Sequence, residues 1–418
     1  MLLTQSNLLR GLSKREYLLL RMMCLFSNNL YNVALYNVRQ HYFAEKKYLD
    51  YNSNYRITKE NENYKLLQAG VSQQVIRVAD RAFKSFFALT DKAHKGSYRY
   101  RNIKLPTYRR KGILFNLILQ SNAISINKSG YLNVPMSNVF MSIYGNEKIK
   151  IRVPKHVLGH KIKEVQIIPL CGGRCFKIQY IYEVEKEDLH LNQSETLSID
   201  IGLDNLATCI TTVGTSFIMD GRRIKSINRL WNKRRADLQS RLPAHQLTSK
   251  LIQQLTLKRN NRVNDCIKKT ARYIINHCIT YNIGTIVCGY NLDFKRKIAL
   301  GKRTNQNFTQ IGIGSLRSQL FNLCERYGMR YIEQEESYTS KASFLDLDEI
   351  PTFNADSLKT YTFSGKRVKR GLYRASDGTL INADLNGAAN ILRKSSRNFN
   401  FEGLSRGLLA SPLRIRLV

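Results

Sequence analysis

Acidic residues are scarce in this chain. Asp and Glu number 31 against 67 Lys and Arg, which leaves a formal charge of +36. That excess goes far beyond what solubility needs and points to a polyanionic partner. A ribosomal or histone-like role is the non-enzymatic form of that partnership. Long apolar runs are missing too. The most apolar early run, Tyr17 to Phe26, is short and contains Arg21, so it is not a membrane span. No cleavable signal sequence is apparent. The eight Cys are scattered, show no disulfide framework and stop at Cys324. That usage fits a reducing compartment. What the chain does have is length and apolar content. Its 418 residues, 43% of them hydrophobic, suit two or three folded domains rather than one core.

Taken in order, Tyr17 to about Phe43 has helical character, and the Asn- and Tyr-rich stretch Asp50 to Asn63 reads as a loop. Val71, Val75, Val78, Ala79, Ala82, Phe83 and Phe86 mark an amphipathic helix whose other face carries Arg77, Arg81 and Lys84, candidate nucleic-acid contacts. The tract Lys92 to Lys111 then holds eight Lys and Arg, no acid, and Tyr98, Tyr100 and Tyr108 among them. Cations there neutralise phosphates and aromatic faces stack on bases, so Tyr98, Arg99, Tyr100, Arg101, Arg109 and Arg110 are candidate nucleic-acid contacts. A solvated basic loop is the plainer alternative. From Leu114 to Glu185 short strands alternate with turns, which predicts a small β-rich, barrel-like unit. Cys171 and Cys175 sit in a turn between its last two strands and read as structural.

In the second half, Leu197, Ile199 and Ile201 alternate with Ser198, Asp200 and Gly202, the period of a strand with one face in a core. Asp200 lies on the other face, and a mid-strand carboxylate calls for a partner that favours its charge. Gly202 is expected to leave room for a ligand's backbone beside it. Two further strands follow, Leu206–Thr212 and Ser216–Asp220. Ile224 to Tyr281 reads as two basic helices broken at Pro243, with Lys258, Arg259 and Arg262 as further candidate nucleic-acid contacts. Thr285–Cys288 reads as a buried parallel strand, Phe294–Thr309 as a basic loop, Ser315 as a helix cap and Met329–Ile332 as another strand. Six acids cluster next: Glu333, Glu335, Glu336, Asp346, Asp348 and Glu349. Asp384 opens a last helix, where a plain cap is its alternative role. Carboxylates on the first strand, after the last strand and at the start of the last helix can converge. Such a trio can hold two Mg²⁺ ions about 3.5–4 Å apart, an arrangement suited to phosphodiester cleavage.

The segments S-I-D-I-G-L-D-N-L-A-T, T-I-V-C-G-Y-N, E-E-S-Y-T-S-K-A-S-F-L-D, F-S-G-K-R-V-K-R-G-L-Y-R and N-A-D-L-N-G-A-A-N-I-L resemble the TnpB (OrfB-type) proteins of insertion sequences. Y-K-L-L-Q-A-G-V-S-Q-Q-V-I-R and A-F-K-S-F-F, in the N-terminal part, are similar to that family as well. The resemblance implies an α/β RuvC-like nuclease domain with an RNase H fold, preceded by a mixed all-β/α part. That part would combine a helical recognition region with a small β-barrel wedge. It also implies a guide RNA from the transposon end and a double-stranded DNA target with a short adjacent motif. Fanzor proteins and type V CRISPR effectors are relatives. Asp200 matches the first RuvC motif and Asp384 the third. Gly289 stands where the usual pattern has an acid, and Glu336 matches the relocated glutamate of some branches, with Glu335 as the near alternative. The catalytic and metal-binding set is therefore Asp200, Glu336 and Asp384. The usual zinc ribbon is absent, with Ala342 and Ser343 among the residues at its ligand positions, so zinc is not expected.

The expected layout is residues 1–190 for recognition and wedge, and 191–395 for the nuclease domain. The latter contains a helical insertion (224–283) and a metal-free lid (344–378), and a basic tail (396–418) follows. A monomer in a prokaryotic cytoplasm, nucleoid-associated when bound to DNA, fits this layout, with no membrane partner. The leading expectation is an RNA-guided, Mg²⁺-dependent DNA endonuclease. Its alternatives are a nuclease-dead, RNA-guided DNA-binding repressor and an accessory protein that regulates transposition. A strand-transferring transposase lacks support, because no Tyr-His-His arrangement is visible.

Overall fold

The computed structural model describes residues 1–290, 306, 309–353, 360–395 and 409–417. The chain divides into two compact units, Met1–Glu185 and Lys186–Val418.

In the first unit, helix α1 (Lys14–Glu45) starts at a reciprocal cap, in which Ser13 Oγ accepts from Glu16 N and the Glu16 carboxylate accepts from Ser13 N. The segment expected to be a loop is helical instead, as α2 (Tyr51–Thr58) and α3 (Glu62–Lys65). Its polar residues do specific work. Asp50 and Asn61 cap the two helices, and buried Asn54 donates to Ala34 O while accepting from Thr58 Oγ1. Helix α4 (Ala69–His94) buries Val71, Val75, Ile76, Ala79 and Phe83 in one core with α1, each large side chain contributing about 1.5–3 kcal/mol. Strands β1 (Leu2–Leu8), β2 (Leu117–Gln120), β6 (Ile162–Leu170) and β7 (Cys175–Glu183) form an antiparallel sheet in the order β1-β7-β6-β2. β3 (Ser125–Ile126), β4 (Tyr131–Asn133) and β5 (Lys150–Arg152) form a second, with α5 (Asn138–Tyr144) and α6 (Lys155–Leu158) beside them in sequence. Cys171–Gly173 is the turn between β6 and β7, as its composition suggests.

The second unit is built on one mixed sheet. β8 (Asn192–Asp200), β9 (Asn205–Thr211) and β10 (Ser216–Asp220) are consecutive antiparallel strands. β11 (Ile283–Tyr290) lies parallel to β8, and β12 (Arg330–Glu335) parallel to β11. β13 (Lys366–Lys369), β14 (Leu372–Arg374) and β15 (Leu380–Asn382) form a small separate sheet. β16 (Leu413–Ile415), expected as part of a tail, pairs in parallel with β10, so the main order is β12-β11-β8-β9-β10-β16. Helices α7 (Arg222–Ser240) and α8 (Lys250–Thr280) bracket Pro243 as the sequence suggests. α9 (Ile313–Arg326) begins after Gly312, which has φ +79°, rather than at Ser315. Most of Phe294–Thr309 lies outside the described residues.

Both faces of the sheet are covered. Leu197, Ile199, Phe217, Ile286 and Cys288 pack with α8 and α9 in one core. On the other face lies α10 (Ala383–Ser395), where Ser198 Oγ donates to Ala388 O at 2.8 Å. Asp200 therefore faces a helix, not open solvent.

Candidate nuclease centre

Asp200 ends β8 and is only partly exposed. Across from it on β9 is Thr208, whose buried hydroxyl has no hydrogen-bond partner among the described residues. Burial first, then the carboxylates of Glu336 and Asp384, hold the Asp200 pKa well above the usual range, with Arg367 acting in the opposite direction. Two glycines keep space here. A Cβ on Gly387 would lie 2.7 Å from Asp200 Oδ2, and one on Gly289 would lie 2.6 Å from Glu336 Oε2. The side chain of Glu336 thus reaches the end of β11, the place where the usual pattern has an acid of its own. Gly202 works differently from expectation, because a Cβ there would meet Asn205 O at 2.7 Å. The close approach is to the chain itself.

Four of the six clustered acids have partners, two of them cations and two of them serines. Glu333 pairs with Arg317, whose guanidinium also lies 3.9 Å from the Tyr290 ring centre. Glu335 pairs with Lys394 and accepts from Ser337 N at 2.7 Å. Burial opposes the Glu335 charge, but those bonds outweigh it and hold the pKa below the usual range. Asp348 accepts from Ser343 N at 2.7 Å and from Ser364 Oγ, and Asp346 accepts from Ser376 N at 3.0 Å. These bonds tie Ser343, Ser364 and Ser376 to the stretch that carries Asp346 and Asp348. The Glu336 carboxylate takes no hydrogen bond or ion pair among the described residues. Its pKa is raised by burial and then by Glu335, against Arg317. The environment thus separates the two adjacent glutamates: one is tied to a lysine, the other is not.

Asp384 is not the cap of α10. Asn382 Oδ1 accepts from Asp384 N and Leu385 N, at 3.0 and 3.2 Å. The Asp384 carboxylate instead accepts from Asn205 Nδ2 at 2.6 Å and stands 3.5 Å from Arg367 Nη2. Beside it opens a cleft of about 700 Å³ lined in part by Asp204, Asn205, Arg222, Arg367, Asp384 and Arg414. Asp204 is paired with Lys225 at 2.7 Å and with Arg370. Sequence reading did not single out Arg367 and Arg370, although they lie in F-S-G-K-R-V-K-R-G-L-Y-R, and nothing in the sequence pointed to Arg414.

The donor chemistry of Asp200, Glu336 and Asp384 is all oxygen and anionic, which suits a hard cation such as Mg²⁺. Mutual repulsion, an unpartnered hydroxyl and space kept by two glycines fit such an ion as well. As they stand, no three His, Cys, Asp or Glu side chains among the described residues are arranged to hold a metal. Asp384 is directed toward Asn205 and Arg367.

The candidate nucleic-acid contacts divide by their partners. Arg77, Arg81 and Lys84 line an exposed polar hollow of about 740 Å³ on α4 with Gln73, Gln74 and Asn122. Within it Lys84 pairs with Asp80 at 3.0 Å, and Arg77 lies 4.5 Å from the Tyr51 ring centre. Arg99, Arg101, Arg110, Lys258 and Arg262 are exposed, Tyr98 is half-buried, and exposed Tyr100 bonds His94. Two arginines serve the fold. Arg109 Nε donates to Asn28 Oδ1 at 3.0 Å, and its guanidinium covers Phe115 at 4.3 Å. Arg259 donates to Asn228 Oδ1 and Gln310 O, at 2.7 and 2.8 Å, and lies 5.3 Å from the Trp231 ring centre.

Residues 179–295 match the OrfB_IS605 family model, described as a probable transposase. The chain is also similar to the TnpB-like protein ORF457 of Acidianus two-tailed virus. The two are 23% identical over 422 residues, spanning 90% of this chain and 83% of the relative. Among solved structures, a chain of the Cas12f1–sgRNA–target DNA complex aligns with a TM-score of 0.60 at 15% identity. That alignment spans 89% of this chain and 81% of the other. At that identity the likeness is one of fold: a mixed α/β architecture like that of the Cas12 effectors. No helix among the described residues is long and apolar enough to cross a membrane.

Proposed function

We propose that this chain is an RNA-guided endonuclease that hydrolyses double-stranded DNA beside a short adjacent motif, with Mg²⁺ as cofactor. The observation that carries the reading is the convergence of acids on the end of β8: the Gly289 Cβ position lies 2.6 Å from Glu336 Oε2 and 3.3 Å from Ile199 O, next to Asp200, whose pKa is raised first by burial and then by Glu336 and Asp384. The sheet supports it further. Three antiparallel strands followed by two parallel ones, in the order β10-β9-β8-β11-β12, agree with the RNase H fold that the resemblance implies. Asp200, Glu336 and Asp384 would hold the metal, which would supply Lewis-acid charge at the scissile phosphate and acidify an attacking water. Exposed cations on α4, on Lys92–Lys111 and on α8 would bind backbone phosphates, while base pairing with the guide selects the target. The insert at 344–378 serves as a lid tied by Asp346 and Asp348 rather than by zinc.

A second reading is a nuclease-dead, RNA-guided repressor. Gly289 at the end of β11, where the usual pattern has an acid, favours it. Copurification with the flanking transcript, then challenge of a randomised-flank plasmid library with Mg²⁺, separates the two. Cleavage beside one enriched motif is expected. Guided binding without cleavage in Mg²⁺ or Mn²⁺ would establish the repressor, and failure to retain any transcript would sink both.

A further inference from the structure

The strand Leu413–Ile415 brings an arginine to the nuclease centre from the far edge of the sheet. Its register pairs Arg414 with Ile218 on β10, Ile218 with Thr208 on β9, and Thr208 with Asp200 on β8. Residues paired across neighbouring strands share a face. Arg414 therefore emerges on the Asp200 face, while Ile415 packs toward the opposite core. There Arg414 Nη1 donates to Asn205 Oδ1 at 2.9 Å, and Asn205 Nδ2 donates to Asp384 Oδ2 at 2.6 Å. The other end of the chain of contacts is anchored. Asp220, 8% exposed in its side chain, lies 3.7 Å from Arg414 and is also paired with Arg222. A register shift between Met219 and Asp220 sets Asp220 opposite Asn205.

We infer that Arg414, delivered by β16, is a positioning residue for the metal-binding acid Asp384, acting through Asn205. The argument rests on the two ends of an amide. A guanidinium has only donors, so it fixes the carbonyl oxygen of Asn205 toward itself. The amide nitrogen must then face Asp384, where it binds one carboxylate oxygen and holds the other toward the cleft. Without Arg414 nothing anchors the carbonyl end of Asn205, so the amide can shift and carry with it the Asp384 carboxylate that it binds. Groups that orient a metal ligand typically change metal affinity by about 10–100-fold when lost. This inference rests on the nuclease reading above, since it assumes that Asp384 binds metal.

The test is Mn²⁺ binding to the full chain by calorimetry, with kcat and KM for guided cleavage measured beside it. Arg414→Met keeps the aliphatic stem and removes the donors and the charge. Loss of a positive charge alone would tighten Mn²⁺ binding, whereas loss of positioning weakens it, so the sign decides. About 10-fold weaker binding is expected, with kcat reduced, KM little changed, and rescue in Arg414→Lys. Combining Arg414→Met with Asn205→Ala should be no worse than Asn205→Ala alone, because both remove one relay. Equal or tighter binding in Arg414→Met, or additive losses in the double variant, would overturn the inference and leave the nuclease reading intact. A parent that binds no Mn²⁺, or binds it as well after Asp384→Asn, would overturn both.

Discussion

Gly387→Ala isolates the fit between helix α10 and Asp200. The new Cβ would lie 2.7 Å from Asp200 Oδ2 and 3.5 Å from its Cγ, whereas ordinary contact begins at 3.4 Å. The carboxylate must therefore yield by about 0.7 Å, since among the described residues Asp200 alone stands in the way. Two effects on stability oppose each other. Ala improves a helix interior over Gly by about 1 kcal/mol, and overpacking costs about 1–3 kcal/mol. The net loss is no more than about 2 kcal/mol, a few degrees in Tm for a unit of this size. Catalysis is far less tolerant, because a misplacement of about 1 Å can cost about 100-fold in rate. The expected result is near-parental melting and guided binding, with plasmid cleavage down about 100-fold. Cleavage within about threefold of the parent would refute the claim that Asp200 is held against α10 at a catalytic position. Loss of target binding together with cleavage would refute it as well.

Glu336→Gln should abolish cleavage while sparing binding. Glu335→Gln should leave cleavage largely intact but cost about 1–3 kcal/mol, because it strips a charged partner from the buried Lys394 amine; thermal melts beside cleavage assays check both. The pKa values of Asp200 and Glu336 are raised on folding, so between their unfolded and folded values the folded state holds the extra proton. Their contribution to stability therefore falls as pH rises through that window. In EDTA, Asp200→Asn should melt higher than the parent at neutral pH, the gap should shrink toward pH 4, and Mg²⁺ should stabilise the parent more than the variant. RNA binding should weaken steeply with salt on a log–log plot, and Arg99, Arg101 and Arg110 changed together to Ala should flatten that slope; Arg109→Ala should instead lower Tm, since it is tied to Asn28 and Phe115.

The strands of the second unit were legible because their apolar residues keep a period of two, and the break at Pro243 was legible because proline cannot continue a helix. Asp50–Asn63 was misread for a physical reason. Asp, Asn and Ser favour loops in general, yet here they cap short helices and satisfy a buried amide, which depends on residues of α1 that local composition does not reveal. The acids at Asp200, Glu336 and Asp384 were suggested by motif, whereas the partner that distinguishes Glu335 from Glu336 is Lys394, nearly 60 residues away in sequence. Cations posed the opposite difficulty. Their abundance announced a polyanion partner, but only packing separates exposed Arg99 from Arg109 and Arg259, whose guanidinium groups are used internally. β16 was not legible at all, because three residues carry no period and their pairing with β10 is set by tertiary contact.

Asp200, Glu336 and Asp384 are proposed to form one metal-dependent centre for cutting DNA. The most direct measurement is guided plasmid cleavage in Mg²⁺ by the parent, Asp200→Asn and Asp384→Asn, each at protein concentrations adjusted to equal target occupancy. Asn keeps the shape of each side chain and removes its charge, so equal binding is expected, with cleavage by the parent and none by either variant. Cutting by either variant at the parental rate, or a guided parent that never cuts, would contradict it.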